Sequence, residues 1–162
     1  MGKKIHAIAM AALLSIVLAC SAISFNRTLA WKDDYILLKD TTGKSPNKAR
    51  PRSNLALRAY LNGLYDEAFF EAKKTIGLYY YYPTAHYIIG LTLYDKGRYA
   101  ESLKAYDWAL ITAEKYLNNP AYMAQIHKSR GLAWKALGDN DSAAKEFNEA
   151  TRLDPSIRIN GY

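Results

Sequence analysis

The spacing of small residues constrains this chain more than any other feature. In Pro83–Leu110, PTAHYIIGLTLYDKGRYAESLKAYDWAL, the small Gly90, Gly97, Ser102 and Ala109 alternate with the large apolar Tyr87, Ile89, Leu93, Tyr99 and Tyr106. The pattern predicts two helices, Thr84–Lys96 and Ala100–Leu110. They are separated at Lys96-Gly97-Arg98, where glycine can take the left-handed conformation that ends a helix. Gly90 and Ser102 carry almost no side chain, so the two backbones can approach closely and run antiparallel. One hairpin cannot bury its own apolar face, and the pattern recurs on both sides. Asn62–Ala72 repeats Lys96–Tyr106 at a distance of 34 residues (97 − 63), with Gly63, Tyr65 and Ala68 in register. Downstream, Gly131, Trp134, Gly138, Ala143, Phe147 and Ala150 repeat it again. An all-α solenoid of about three helical hairpins follows.

The residues of this hairpin resemble the tetratricopeptide repeat (TPR), whose signature reads W-x2-L-G-x2-Y on the first helix and A-x3-F on the second. Here those positions are His86, Ile89-Gly90 and Leu93, then Ser102 and Tyr106. The expected division is a membrane anchor or signal segment over 1–25, then a junction with a capping half-repeat over 26–48. Three repeats follow over 49–157 (about 49–82, 83–117 and 124–157), with a short tail at 158–162. The first repeat is degenerate, with Arg52 at the tryptophan position and Ala72 at the phenylalanine position. Gly90 to Gly131 spans 41 residues, seven more than the period. Seven residues are about two helical turns, so the second helix of repeat two should continue through Ile111–Leu117. Asn118-Asn119-Pro120 should then end it and open the next. Within the half-repeat, Trp31–Gly43 reads as a short helix with Tyr35, Leu38 and Ile36 on one face.

Chemical signatures are sparse. His86 and His127 share one repeat position, which favours packing over catalysis. No Walker, nucleophile-elbow, zincin or dinucleotide-binding motif occurs, and Asp66-Glu67 falls at a helix start, where acids meet the helix dipole favourably. One cysteine is too few for an internal disulfide or a thiolate zinc site. The expectation is a non-enzyme without cofactor or metal. The net charge of +7 includes a run of Lys44, Lys48, Arg50, Arg52 and Arg58 with no acid between Asp40 and Asp66. A solvated face explains such a run better than a phosphate site, and nucleic acid is not an expected partner.

The first residues contain nineteen uncharged positions, Ala7 to Phe25, behind Lys3 and Lys4. That length suffices to span a bilayer as a helix, with membrane contact through residues 5–25, and the flanking lysines place the repeats on the outer side. Three readings stand: an uncleaved single-pass anchor, a lipoprotein lipidated at Cys20 within Val17-Leu18-Ala19-Cys20, and cleavage after Thr28-Leu29-Ala30. All three put the repeats outside a bacterial cytoplasmic membrane. The junction adds a second resemblance. Arg27 and Trp31, with Thr28 where the family has asparagine, followed by Lys44–Arg50 (KSPNKAR), resemble the last membrane helix and tail of bacterial O-mannosyltransferase-like TPR membrane proteins. That resemblance implies an extracytoplasmic repeat tail and a membrane glycosyltransferase as a partner. It implies no transferase activity, since the catalytic acids of that family lie in earlier loops this chain lacks.

Binding is therefore expected on the inner wall of the solenoid, formed by the first helix of each hairpin. Counting along those helices gives Arg50, Tyr60, Tyr87, Leu91, Tyr94, Lys128 and Lys135 as the groove for a protein or peptide. The wall is aromatic in the middle and basic at its ends. Tyrosines outnumber phenylalanines fourteen to four, which suits a partly exposed wall because the ring packs while its hydroxyl stays wet. Lysine and asparagine, which TPR clamps use to hold a C-terminal carboxylate, are replaced by Ser53 and Leu57. The run Tyr79–Tyr82 is expected to fill a turn, with stacking on a sugar or peptide as its sharper alternative.

Overall fold

The computed structural model describes residues 10, 13–18, 20–21 and 34–159. Residues 34–159 form seven helices: α1 (Asp34–Lys44), α2 (Ala49–Leu61), α3 (Tyr65–Leu78), α4 (Pro83–Asp95), α5 (Tyr99–Tyr116), α6 (Pro120–Ala136) and α7 (Asn140–Leu153). They pack as antiparallel hairpins α2–α3, α4–α5 and α6–α7, with α3 on α4, α5 on α6, and α1 covering α2. The first helices also touch one another, α2 to α4 and α4 to α6, whereas no such contact joins α3 to α5 or α5 to α7. The solenoid therefore curves with α2, α4 and α6 on its inner wall and the second helices outside.

Close approach explains the small residues. A Cβ at Gly131 would lie 2.5 Å from the ring of Phe147, and one at Gly90 would collide equally with Tyr106. Each aromatic ring lies flat against a backbone that only glycine leaves bare. Alanines fill the remaining interfaces, among them Ala56, Ala85, Ala109, Ala133 and Ala150, all fully buried. Three buried threonines fit the same tight spaces because their hydroxyls bond within their own helix. Thr75 donates to the Glu71 carbonyl at 2.8 Å, Thr92 to Ile88 at 3.0 Å and Thr112 to Trp108 at 2.6 Å. The hairpin turns carry Gly63, Gly97 and Gly138 at φ of +74, +74 and +84°, the left-handed region the sequence demanded there.

Helix α5 continues to Tyr116, and α6 begins at Pro120 with the Asn119 side chain accepting from the Tyr122 amide at 3.1 Å. The extra turns implied by the 41-residue spacing are thus helical, and the Asn-Pro boundary caps the next helix. Two expectations need correction. Ile36 is 49% exposed, while Tyr35, Leu37 and Leu38 are half-buried, so Tyr35 and Leu38 face inward as expected and Ile36 does not. The basic run is solvated at Lys44, Lys48 and Arg50, all exposed, but not at Arg52, which is buried. Arg52 pairs with Glu71 in the interior, Arg58 meets Asp34 at 2.6 Å, and Lys44 meets Asp40 at 2.5 Å. Residues 1–25 fall mostly outside the described residues, as do Arg27, Thr28 and Trp31. Among the described residues, no helix is long and apolar enough to cross a membrane, and Cys20 is an exposed free thiol.

Candidate functional site

The inner wall takes its shape from tyrosines that bridge successive first helices. Tyr60, near the end of α2, rests on Tyr65 with ring centres 5.6 Å apart. Burial, with Asp95 at the end of α4 as hydrogen-bond partner, raises its phenol above the ordinary range. Tyr94 occupies the same position one repeat later and packs on Tyr99 at 5.2 Å. Its phenol is also raised, by burial and then by Tyr99 and Asp95. Both rings are half-buried, so each keeps part of its surface open on the wall. Leu57 is 36% exposed and Leu91 half-buried. Arg50 at the start of α2 and Lys135 at the end of α6 are exposed, and Lys128 is half-buried.

Tyr87 is placed differently. Its ring is wedged between Tyr106 at 5.9 Å and Tyr122 at 5.8 Å, and its hydroxyl shares a hydrogen bond with Ser129 at 2.9 Å. Burial raises this phenol, and the Ser129 bond partly offsets the effect. Tyr87 therefore ties α4 to α6 rather than standing open on the wall. Ser53 is likewise buried. The sequence reasoning missed Asp95 and Ser129, the polar partners of two wall tyrosines. Their signal was available: each lies on the inner-wall helix that follows, where a tyrosine hydroxyl needs a partner.

A second set of repeat-equivalent residues lies beneath the outer face. Arg52, His86 and His127 occupy one position of the repeat, spaced 34 (86 − 52) and 41 (127 − 86) residues apart. Arg52 donates to Glu71 and to the Pro46 carbonyl at 2.9 Å. His127 Nδ1 meets Glu146 at 2.8 Å, and Arg130 lies 3.3 Å from the same carboxylate. In the middle repeat the carboxylate position is Ala105. His86 instead donates through Nε2 to the Tyr80 carbonyl at 2.7 Å and stacks on Trp108 with ring centres 6.1 Å apart. Burial lowers the His86 pKa, and the nearby Lys73 adds to the effect. Both histidines are thus held by partners within the protein, His86 by a carbonyl and an indole and His127 by a carboxylate. Among the described residues, no cluster of three His, Cys, Asp or Glu could hold a metal ion.

Residues 129–157 match the tetratricopeptide repeat family. A 67-residue stretch is 42% identical to a TPR repeat-containing thioredoxin of Arabidopsis thaliana, and covers 41% of this chain but only 9% of that protein. Several solved structures share the fold. A crystal structure of MamA superposes with a TM-score of 0.60 at 21% identity, over 73% of this chain and 61% of that one. The first TPR of Spaghetti, bound to the HSP90 peptide SRMEEVD, gives 0.60 at 20% identity, over 68% and 82%. The N-terminal domain of stress-induced protein-1 from C. elegans gives 0.61 at 16% identity, over 68% and 87%. The fold is therefore an all-α, TPR-like solenoid.

Proposed function

We infer that this chain is a non-enzymatic interaction scaffold that holds a protein or peptide segment along its inner wall. One observation carries the reading. Helices α2, α4 and α6 form a continuous wall on which Leu57, Tyr60, Leu91 and Tyr94 keep exposed apolar surface between Arg50 and Lys135. A bound segment would cover those rings, while the basic ends favour acidic flanks. Large aromatic contacts at such centres commonly carry about 2 kcal/mol each, whereas rim charges mainly set encounter rate and salt dependence. The peptide-bound TPR of Spaghetti is consistent with this use of the fold.

The scaffold is tethered, in this reading, by the uncharged stretch Ala7–Phe25, with the repeats on the outer side of a bacterial cytoplasmic membrane. Lipidation at Cys20 is the alternative anchor. The Lys44–Arg50 junction supports a membrane glycosyltransferase as the complex in which the scaffold works. Crosslinking and capture from membranes tests the wall. Leu57→Ala with Tyr94→Ala should remove the captured partners while helicity by circular dichroism is unchanged. Capture equal to wild type would move binding off the inner wall. Mass spectrometry of the membrane-bound protein separates the anchors, since an acylated N-terminal Cys20 excludes the uncleaved span.

A further inference from the structure

The outer face carries a groove that the inner-wall reading does not use. No backbone contact joins α3 to α5, and the shallow gap between them is floored by side chains of α4 that are themselves buried. The resulting groove holds about 410 Å³, within the roughly 300–1,000 Å³ of ordinary ligand clefts. Its floor is apolar, from Ile89 and Leu93, and Phe69 and Ile76 line the α3 side. One end is aromatic: Tyr80 meets Trp108 edge-on at 5.2 Å and His86 at 5.4 Å, and Trp108 remains 40% exposed. An exposed tryptophan held by two aromatic neighbours is a preorganised surface, because its rotamer is fixed before anything binds.

The charge of the groove is one-sided. Lys73 and Lys104 line it from opposite helices, and among the described residues neither pairs with a carboxylate. Glu101 is the acid in the lining, and Arg98 already holds it through two bonds of 2.7 and 2.6 Å. The corresponding groove one repeat later, between α5 and α7, differs in both respects. It is lined by Leu110, Glu114, Met123, His127, Glu149 and Arg152. Arg152 is bound to Glu149, and His127 to Glu146. Among the described residues, that groove has no tryptophan or tyrosine in its lining and no cation outside an ion pair. The middle groove is thus specialised against the background of its own repeat.

We propose that the outer groove between α3 and α5 binds an acidic linear peptide, in which a large aromatic or aliphatic side chain sits on Trp108 and Tyr80 and flanking carboxylates meet Lys73 and Lys104. An elongated occupant follows from a gap that runs between two helices and is open to solvent. Carboxylates rather than a phosphate backbone follow from the charge: two lysines outside any close ion pair, Lys73 resting 5.7 Å from the centre of the Phe69 ring, suit a few acids, whereas a nucleic acid needs a basic track along its length.

The test uses fluorescent 10- to 12-residue peptides with a central Trp, Phe or Leu flanked by glutamates, and matched peptides flanked by lysines, read by anisotropy. Acidic peptides should bind and basic ones should not, and affinity should fall as salt rises. Lys73→Glu with Lys104→Glu should weaken binding about tenfold or more, and Trp108→Ala by a similar factor. Both lysines are exposed, so that double variant should keep wild-type helicity. Leu57→Ala with Tyr94→Ala should bind the same peptides as wild type, which separates this groove from the inner wall. The proposal is overturned if every acidic peptide fails to bind, or if the charge-reversed protein binds them unchanged. Tighter binding of an oligothymidine or a neutral oligosaccharide at Trp108 would overturn it equally, by assigning the groove another occupant.

Discussion

The second and third hairpins share one packing plan and differ in their polar and exposed aromatic groups, and those differences separate what the repeat needs from what this chain has added. Both bring an aromatic ring onto a bare glycine, Tyr106 onto Gly90 and Phe147 onto Gly131. Both place a histidine at the same helical position. In the third hairpin that histidine is satisfied by Glu146, and the surrounding groove is internally paired. In the second the carboxylate is replaced by Ala105, and the histidine leans on Trp108. The packing contacts are the common requirement. The charge and the exposed aromatics are free to vary, and they vary where a ligand would touch.

The largest effect should come from the first hairpin, where this position holds an ion pair in the interior. Arg52→Ala leaves Glu71 buried without its cation and should cost about 3–5 kcal/mol, measured by urea unfolding. Replacing both, as Arg52→Met with Glu71→Leu, should be much milder. If the single and double variants lose equal stability, the pair is not what makes this position sensitive.

Next come the glycines. Gly90→Ala and Gly131→Ala should each cost about 1–3 kcal/mol through overpacking against an aromatic ring. A loss at one glycine and none at the other would show that the two hairpins do not share their packing after all.

A smaller effect should appear in the pH dependence. His86 has its pKa lowered by burial, so the unfolded chain binds its proton more readily than the folded one. This residue's contribution is fully present above the unfolded value of about 6.5 and is lost as pH falls through the interval down to the lowered folded value. Stability measured from pH 7.5 to 5.5 should therefore fall less steeply in His86→Gln than in wild type. Ala105→Glu sharpens the contrast by giving the second hairpin the carboxylate of the third. It should raise the His86 pKa, read by NMR titration, and weaken the acidic peptide in the outer groove.

The smallest effect is a gain. The Tyr106 hydroxyl is buried without a hydrogen-bond partner among the described residues. Tyr106→Phe, the residue the third hairpin uses, should stabilise by about 1 kcal/mol, seen as a raised Tm.

Period and small-residue spacing were enough to read the hairpins, their turns and the extension of α5, because steric contacts repeat with the chain. Gly90, Gly97 and Asn119 each behaved as local chemistry dictates. The site was only half legible. Tyr60 and Tyr94 lie on the wall as counted, but Tyr87 differs because its hydroxyl found Ser129 forty-two residues away, a partner no helical wheel reveals. On α1 only Ile36 was misplaced, because a helix packed on one side alone leaves the edge of its apolar face loosely defined. The outer groove left no such signal, because Lys73 and Lys104 stand on helices of different hairpins. Only the gap between α3 and α5 brings them to one cleft.

The longer α5 has a bearing on how this array can change its length. It has 18 residues against 14 in α3, and its last turns carry Tyr116 onto Tyr81 in the loop before α4. A solenoid grows or shrinks by gaining or losing whole units, and a unit of 34 residues would rejoin the chain in phase at the seam between the first two hairpins. At the seam between α5 and α6 the same unit leaves a mismatch of seven residues (41 − 34). A crossover there would strand the overhanging turns or strip Tyr116 from its ring partner. Exchange of a whole repeat at that seam should therefore cost stability that an exchange at the first seam does not, since both α5, with 18 residues, and α6, with 17, are longer there than α3 and α4, with 14 and 13.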